Sequence, residues 1–154
     1  MPTRSIENSN SRLLLSEILR KVSNAKTKKE KVDLLRKHNS PALRQLMIIN
    51  FDDSVVSLLP EGEVPYTPND APVGTDHTRL EQEYRGLYRF FKGGAKLSNL
   101  KRESMFVQLL EGLSAEEAEL LCLVKDGSLT TKYKRITKAV VSEAYPSIEW
   151  GGRS

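Results

Sequence analysis

The chain has 154 residues, 38% hydrophobic and 29% charged, with a net charge of +4. That is the size of one domain, enough to bury a core without disulfide or metal staples. A single cysteine, Cys122, excludes an internal disulfide. The N-terminus lacks the apolar run of a signal peptide, and no run approaches the ~20 apolar residues of a membrane span. A cytoplasmic protein with no membrane partner is expected.

The elements are read in chain order as an all-α, compact bundle of about six to seven short helices with one long Pro-rich loop. Residues 1–10 are polar and expected to fray. Residues 11–150 are expected to form a single helical domain, and 151–154 a tail. Leu14, Leu15, Ile18, Leu19 and Val22 repeat at helical spacing over Ser11 to Ser23. Thr27-Lys28-Lys29-Glu30 is a capping box, in which the threonine hydroxyl takes an orphan N–H and the glutamate reaches back. The helix after it buries Val32, Leu34 and Leu35 and stops at His38-Asn39, where asparagine tolerates a left-handed turn. Ser40-Pro41 opens a third helix with a cap and a proline at its first position. Leu43, Leu46, Met47 and either Ile48 or Ile49 face inward.

The character changes over 51–77. Pro60, Pro65, Pro68 and Pro72 forbid a continuous helix, so a long loop is expected, with a short helix over Ser54–Leu59. Helix resumes over Thr78–Phe91, with Leu80, Tyr84, Leu87, Tyr88 and Phe91 on its inner side and Gly93-Gly94 ending it. The next helix spans Ser98–Glu111, with Met105, Phe106, Leu109 and Leu110 inward. Ser114-Ala115-Glu116-Glu117 reads as a second capping box, opening a helix that Lys125-Asp126-Gly127 closes. A last helix over Thr130–Ala144 carries Tyr133, Ile136, Val140 and Val141 inward, and Pro146 stops it.

The catalytic inventory is thin. His38 and His77 have no cysteine or second histidine at ligand spacing. Cys122 sits in an apolar helix segment and reads as a small buried hydrophobe. Asp52, Asp53, Glu61, Glu63, Asp70 and Asp76 could chelate a divalent cation but lack EF-hand spacing. Gly93-Gly94 between Lys92 and Lys96 lacks phosphate-loop spacing and reads as a hinge with basic neighbours. No catalytic residue, metal or cofactor is expected.

Charge is more informative. Residues 1–45 hold eleven Lys/Arg against four Asp/Glu, and residues 46–100 hold five against eight. Three basic clusters stand out: Lys26, Lys28, Lys29 and Lys31; Arg89, Lys92 and Lys96; and Lys132, Lys134, Arg135 and Lys138. Lysines at loop–helix junctions suit sequence-independent phosphate contact, and solvation of charged helix faces is the alternative reading. Aromatics available for stacking bases are few: Tyr66 and Tyr145, with Tyr133 and Trp150 read as core.

The succession Leu15-Ser16-Glu17-Ile18-Leu19, Lys26 to Lys31, Leu34 to Asn39 and Leu43 to Leu46 resembles the opening of the helical N-terminal DNA-binding domain of ATP-dependent DNA ligases, those of T-even-type bacteriophages above all. Leu109 to Leu121 is similar to the segment before that domain's final helices, and Lys132 to Pro146 to its closing helix. Ala144 to Gly151 also resembles the ending of small uncharacterised proteins of T-even-like phages. The ligase resemblance implies a grip on duplex DNA, nicked DNA included. It places Lys26, Lys28 and Lys29 at one contact and Lys132, Lys134 and Lys138 at another. The ligase Lys-x-Asp-Gly nucleophile motif is not matched, because Lys125-Asp126-Gly127 lacks the intervening residue. The expectation is therefore a non-enzymatic, phage-encoded protein that binds duplex DNA. Its rival is a module that binds a phage or host protein through the Pro-rich loop and the Tyr-Pro-x-Ile-x-Trp segment.

Overall fold

The computed structural model describes residues 13–69 and 77–153. The expected frayed N-terminus, Asp70, Pro72, Gly74, Asp76 and the final residue of the tail lie outside them. The described residues form an all-α fold of seven α-helices and two 3-10 stretches. These are α1 (Leu15–Asn24), α2 (Lys28–Lys37), α3 (Pro41–Phe51), α4 (Leu80–Glu83), α5 (Asn99–Gly112), α6 (Ala115–Lys125) and α7 (Lys138–Ala144). No strand forms among the described residues, only two isolated bridges.

Local chemistry sets most helix starts. The Thr27 hydroxyl accepts from Glu30 N at 3.1 Å, and Glu30 Oε1 accepts from Thr27 N at 3.1 Å, so the expected capping box is closed. Ser40 caps α3 through Leu43 N, and Pro41 follows at the first helical position. Ser98 caps α5 through Lys101 N. At the end of α2, His38 is the C-cap with φ −101°, and among the described non-glycine residues only Arg135 has a positive φ. The left-handed turn expected at Asn39 therefore does not form.

Helix α6 is the hub, packing on α1, α3 and α5. Its Glu117 is fully buried and departs from the expected capping box. Ser114 Oγ accepts from Glu117 N at 3.4 Å, but the Glu117 carboxylate does not reach back. It accepts instead from Leu15 N at 3.1 Å and Leu80 N at 3.0 Å. Those are the first residues of α1 and α4, so one carboxylate satisfies orphan donors of two helices. Burial pushes the Glu117 carboxyl up, and the two N–H groups pull it back.

Two helices expected from the sequence are broken. Over Leu80–Phe90 one α-turn passes into a 3-10 stretch, Tyr84–Phe90. The tighter period puts Leu87 and Phe90 inside, three residues apart, and turns Tyr88 out to 54% exposure. Phe91 is only half-buried and pairs with Ser57 in an antiparallel bridge. Leu58 N donates to Phe90 O and Lys92 N to Val56 O, both at 2.9 Å, so residues 56–58 are extended and the short helix expected at Ser54–Leu59 is absent. Over 130–144, the expected continuous helix is interrupted by Arg135 at φ +67°. A fresh start follows, with Thr137 capping α7 through Val140 N at 3.4 Å. Tyr133, Ile136, Val140 and Val141 are buried as expected.

Candidate nucleic-acid interface

The break at Arg135 decides where the basic residues go. Helix α7 packs chiefly on α2. Hydrogen bonds to backbone carbonyls help fasten the pair: Tyr145 Oη donates to Leu35 O at 2.5 Å, and Arg36 donates to Glu143 O at 3.0 Å and Ala144 O at 3.5 Å. Ser23 Oγ donates to Lys134 O at 2.9 Å, fixing the preceding loop against the end of α1. As a result, the capped starts of α2 and α7 flank one cleft of about 270 Å³. It is lined by Lys26, Thr27, Lys28, Lys31, Arg135 and Thr137, with Ala139 and Val140 as its apolar floor.

The eleven basic residues singled out in the sequence divide. Lys26, Lys28 and Arg135 line the cleft with exposed side chains. Lys134 is exposed at the adjoining position. Among the described residues, no carboxylate lies within salt-bridge distance of Lys26, Lys134 or Arg135, whereas Lys28 is paired with Glu143 at 3.2 Å. Lys31 has a different task. It is only 4% exposed, and its ammonium donates to Ala25 O and to Ser23 O, closing the C-terminus of α1. Its expected role at a nucleic-acid surface is corrected to a buried capping one.

Other members are held by neighbours. Lys29 pairs with Asp33 at 3.0 Å along α2. Lys132 pairs with Glu119 and lies over the Tyr133 ring, and Lys138 lies 5.0 Å from the centroid of Trp150. Lys132, Lys134 and Arg135 precede α7 and do not stand on its first turn. Lys92 and Lys96 line no part of the cleft and occupy the Gly93-Gly94 turn. That turn is a packed corner, not an open hinge. A Cβ on Gly94 would meet Tyr88 O at 1.9 Å, and buried Arg102 binds Leu97 O at 2.9 Å and Arg89 O at 3.2 Å. Of the aromatics, Tyr145 is buried, contrary to expectation, and Trp150 is half-buried with its indole N–H on Ser142 Oγ at 3.0 Å.

The other candidates are occupied or isolated. Asp52 is buried, and its carboxylate accepts from Ser54 N, Ser54 Oγ, Gly151 N and Arg153 Nη1 at 2.5–2.9 Å. Burial alone raises this carboxyl, but those donors together hold it well below the usual carboxylate range. Asp52 thus clasps the C-terminal segment. Among the described residues, no group of three His, Cys, Asp or Glu is placed to hold a metal ion. Cys122 is half-buried, and burial pushes its thiol up to about 11. Burial, with Lys37 and Lys21 beside it, lowers the pKa of His38. Lys125, Arg102 and Asp52 carried no sequence signal of their roles, since all three act on chain segments remote in sequence or on a turn built by packing.

Fold and site together define an all-α protein with a basic cleft between two capped helix starts, and no helix among the described residues is long and apolar enough to cross a membrane. Residues 18–131 match the family of unknown function DUF6433, well over half of the chain, and the chain belongs to that family. No curated protein and no solved structure matches it.

Proposed function

We propose that this chain is a non-enzymatic, phage-encoded accessory protein that binds duplex DNA in the host cytoplasm, with its α2–α7 cleft seated on the phosphate backbone. The observation that carries this reading is the meeting of Lys26 and Arg135, remote in sequence and without carboxylate partners among the described residues, on one cleft beside Lys28 and Lys134. Such a cluster gains by releasing the counterions condensed on DNA, a sequence-independent contribution. The resemblance of residues 15–46 and 132–146 to the DNA-gripping domain of ATP-dependent ligases supports the same reading, because both resembling segments contribute to the cleft.

The test is binding of fluorescent intact, nicked and single-stranded DNA across a salt series. Duplex affinity should fall log-linearly with salt, by ~0.9 per phosphate neutralised, and intact and nicked duplex should bind more tightly than single strands. Absence of duplex binding at low salt, or an affinity insensitive to salt, overturns the reading.

A further inference from the structure

A second concave surface lies between the Pro-rich segment and α5, and it shares no residue with the basic cleft. Its walls are Leu59, Val64 and Pro65 on one side and Phe106 and Val107 on the other, around a pocket of about 110 Å³. Glu63 and Glu103 stand at its rim, both exposed, and among the described residues neither has a cation within salt-bridge distance. Residues 51–69 carry four acidic side chains and no Lys or Arg. One turn before Glu103, Leu100 stands 79% exposed on α5. The loop wall is fastened. Lys125 Nζ donates to Pro60 O at 2.8 Å and Gly62 O at 3.4 Å, Asp126 accepts from Gly62 N at 3.0 Å, and Glu111 accepts from Thr67 N at 2.9 Å.

We propose that this groove docks a short basic–apolar peptide segment of a partner protein, one aliphatic side chain filling the pocket while a neighbouring Lys or Arg reaches Glu63 and Glu103. Size and charge select that occupant. Small-molecule sites run to ~300 Å³ or more, and an apolar cavity that accepts benzene measures roughly 150 Å³, so this pocket takes one Leu, Ile or Val side chain. The unpaired carboxylates repel nucleic acid and anionic lipid and attract a cation. Exposed Leu100 adds a second apolar contact one helical turn away, as anchor-and-neighbour recognition of an extended or helical segment requires. A fastened wall means the partner meets a preformed surface and less ordering opposes binding.

The experiment uses the full chain and two fluorescein-labelled peptides, Gly-Ser-Arg-Leu-Leu-Lys-Ser-Gly and its charge-reversed form with Glu in place of Arg and Lys. Anisotropy should show the basic peptide binding about tenfold or more tightly than the acidic one at low salt. The Glu63→Lys/Glu103→Lys variant should reverse that preference, and Val107→Phe, which fills the pocket, should weaken both. Backbone NMR shifts on adding the basic peptide should centre on residues 59–65 and 100–107. No binding, equal binding of the two peptides, or shifts centred elsewhere overturns the proposal. So does concentration-dependent self-association of the wild type that the double charge reversal abolishes, since the occupant would then be a second copy of the chain. None of these outcomes bears on DNA binding by the cleft.

Discussion

Lys125 Nζ donates to the carbonyl of Pro60 at 2.8 Å, joining the end of α6 to the first proline of the Pro-rich loop across 65 residues of sequence. The ammonium is fully buried and neutralised by Asp126 at 2.6 Å, so its whole capacity is spent on this loop and its own neighbour. Lys125→Met keeps the aliphatic stem and removes the donors. It leaves Asp126 without its ammonium partner and should cost ~1–3 kcal/mol in denaturant unfolding. Amide exchange should accelerate at residues 60–67 and stay unchanged in α2 and α7. Uniform acceleration would show that the lysine supports the whole fold and not the loop.

Glu117 offers a sharper test of architecture. Its carboxylate is the acceptor for the starts of both α1 and α4, so Glu117→Ala strands two buried N–H groups at once. At ~1–3 kcal/mol for each stranded group, the variant should lose ~2–6 kcal/mol of stability. Glu117→Gln keeps one acceptor oxygen and should lose less. Because burial raises this carboxyl, its charged form is the costly one, and the sign follows. Its contribution is complete below the unfolded-state pKa, ~4.3, and is lost as pH rises through the folded-state value. Glu117→Gln should therefore lose less relative to wild type at neutral pH than at pH 4, as paired urea titrations would show.

The contrast between these two residues and the helix caps explains what was legible in the sequence. Thr27-Glu30, Ser40-Pro41 and Ser98 act within one helical turn, so their roles are written in adjacent residues. Ser114-Glu117 has the same spelling, yet Glu117 is drawn off by Leu15 and Leu80, donors supplied by tertiary packing. The 3-10 stretch was hidden for a similar reason: Leu87 and Tyr88 both fit a helical stripe, and the pairing of residues 56–58 with 90–92 decides which one is buried. At the cleft, the lysines were visible as basic clusters. Only the left-handed turn at Arg135, a residue type that gives no warning of it, brings the two clusters together and leaves Lys92 and Lys96 elsewhere.

The Asp52 clasp predicts an acid transition confined to the C-terminal segment. Asp52 holds Gly151 N and Arg153, and Trp150, the only tryptophan in the sequence, directly precedes Gly151 and donates to Ser142 Oγ. The folded-state pKa of Asp52 is depressed, so its stabilisation is present above the unfolded value of ~3.9 and lost as pH falls through the folded one. Trp150 emission should shift to the red well below pH ~4, as the indole leaves Ser142 and Lys138. Asp52→Asn should show the shifted emission already at pH 7 and no acid transition of its own. An identical acid profile in the two proteins would mean that another carboxylate controls the segment.

The division of the basic residues makes the DNA reading testable side chain by side chain. Lys26 and Arg135 line the cleft with no carboxylate partner among the described residues, so each is free to neutralise a phosphate. Lys26→Ala and Arg135→Ala should each lower the salt slope of duplex binding by ~0.9, and the double variant by about twice that. Lys29→Ala removes a cation already shared with Asp33, and Lys132→Ala one shared with Glu119, so their slopes should move less. Lys96→Ala, away from the cleft, should leave the slope as it is. Lys31→Ala should behave in the opposite sense, with lower stability from the uncapped α1 carbonyls and an unchanged slope in the protein that remains folded. If slope were lost equally from Lys26, Lys96 and Lys132, DNA would be sensing total charge, and the cleft would have no special part in binding.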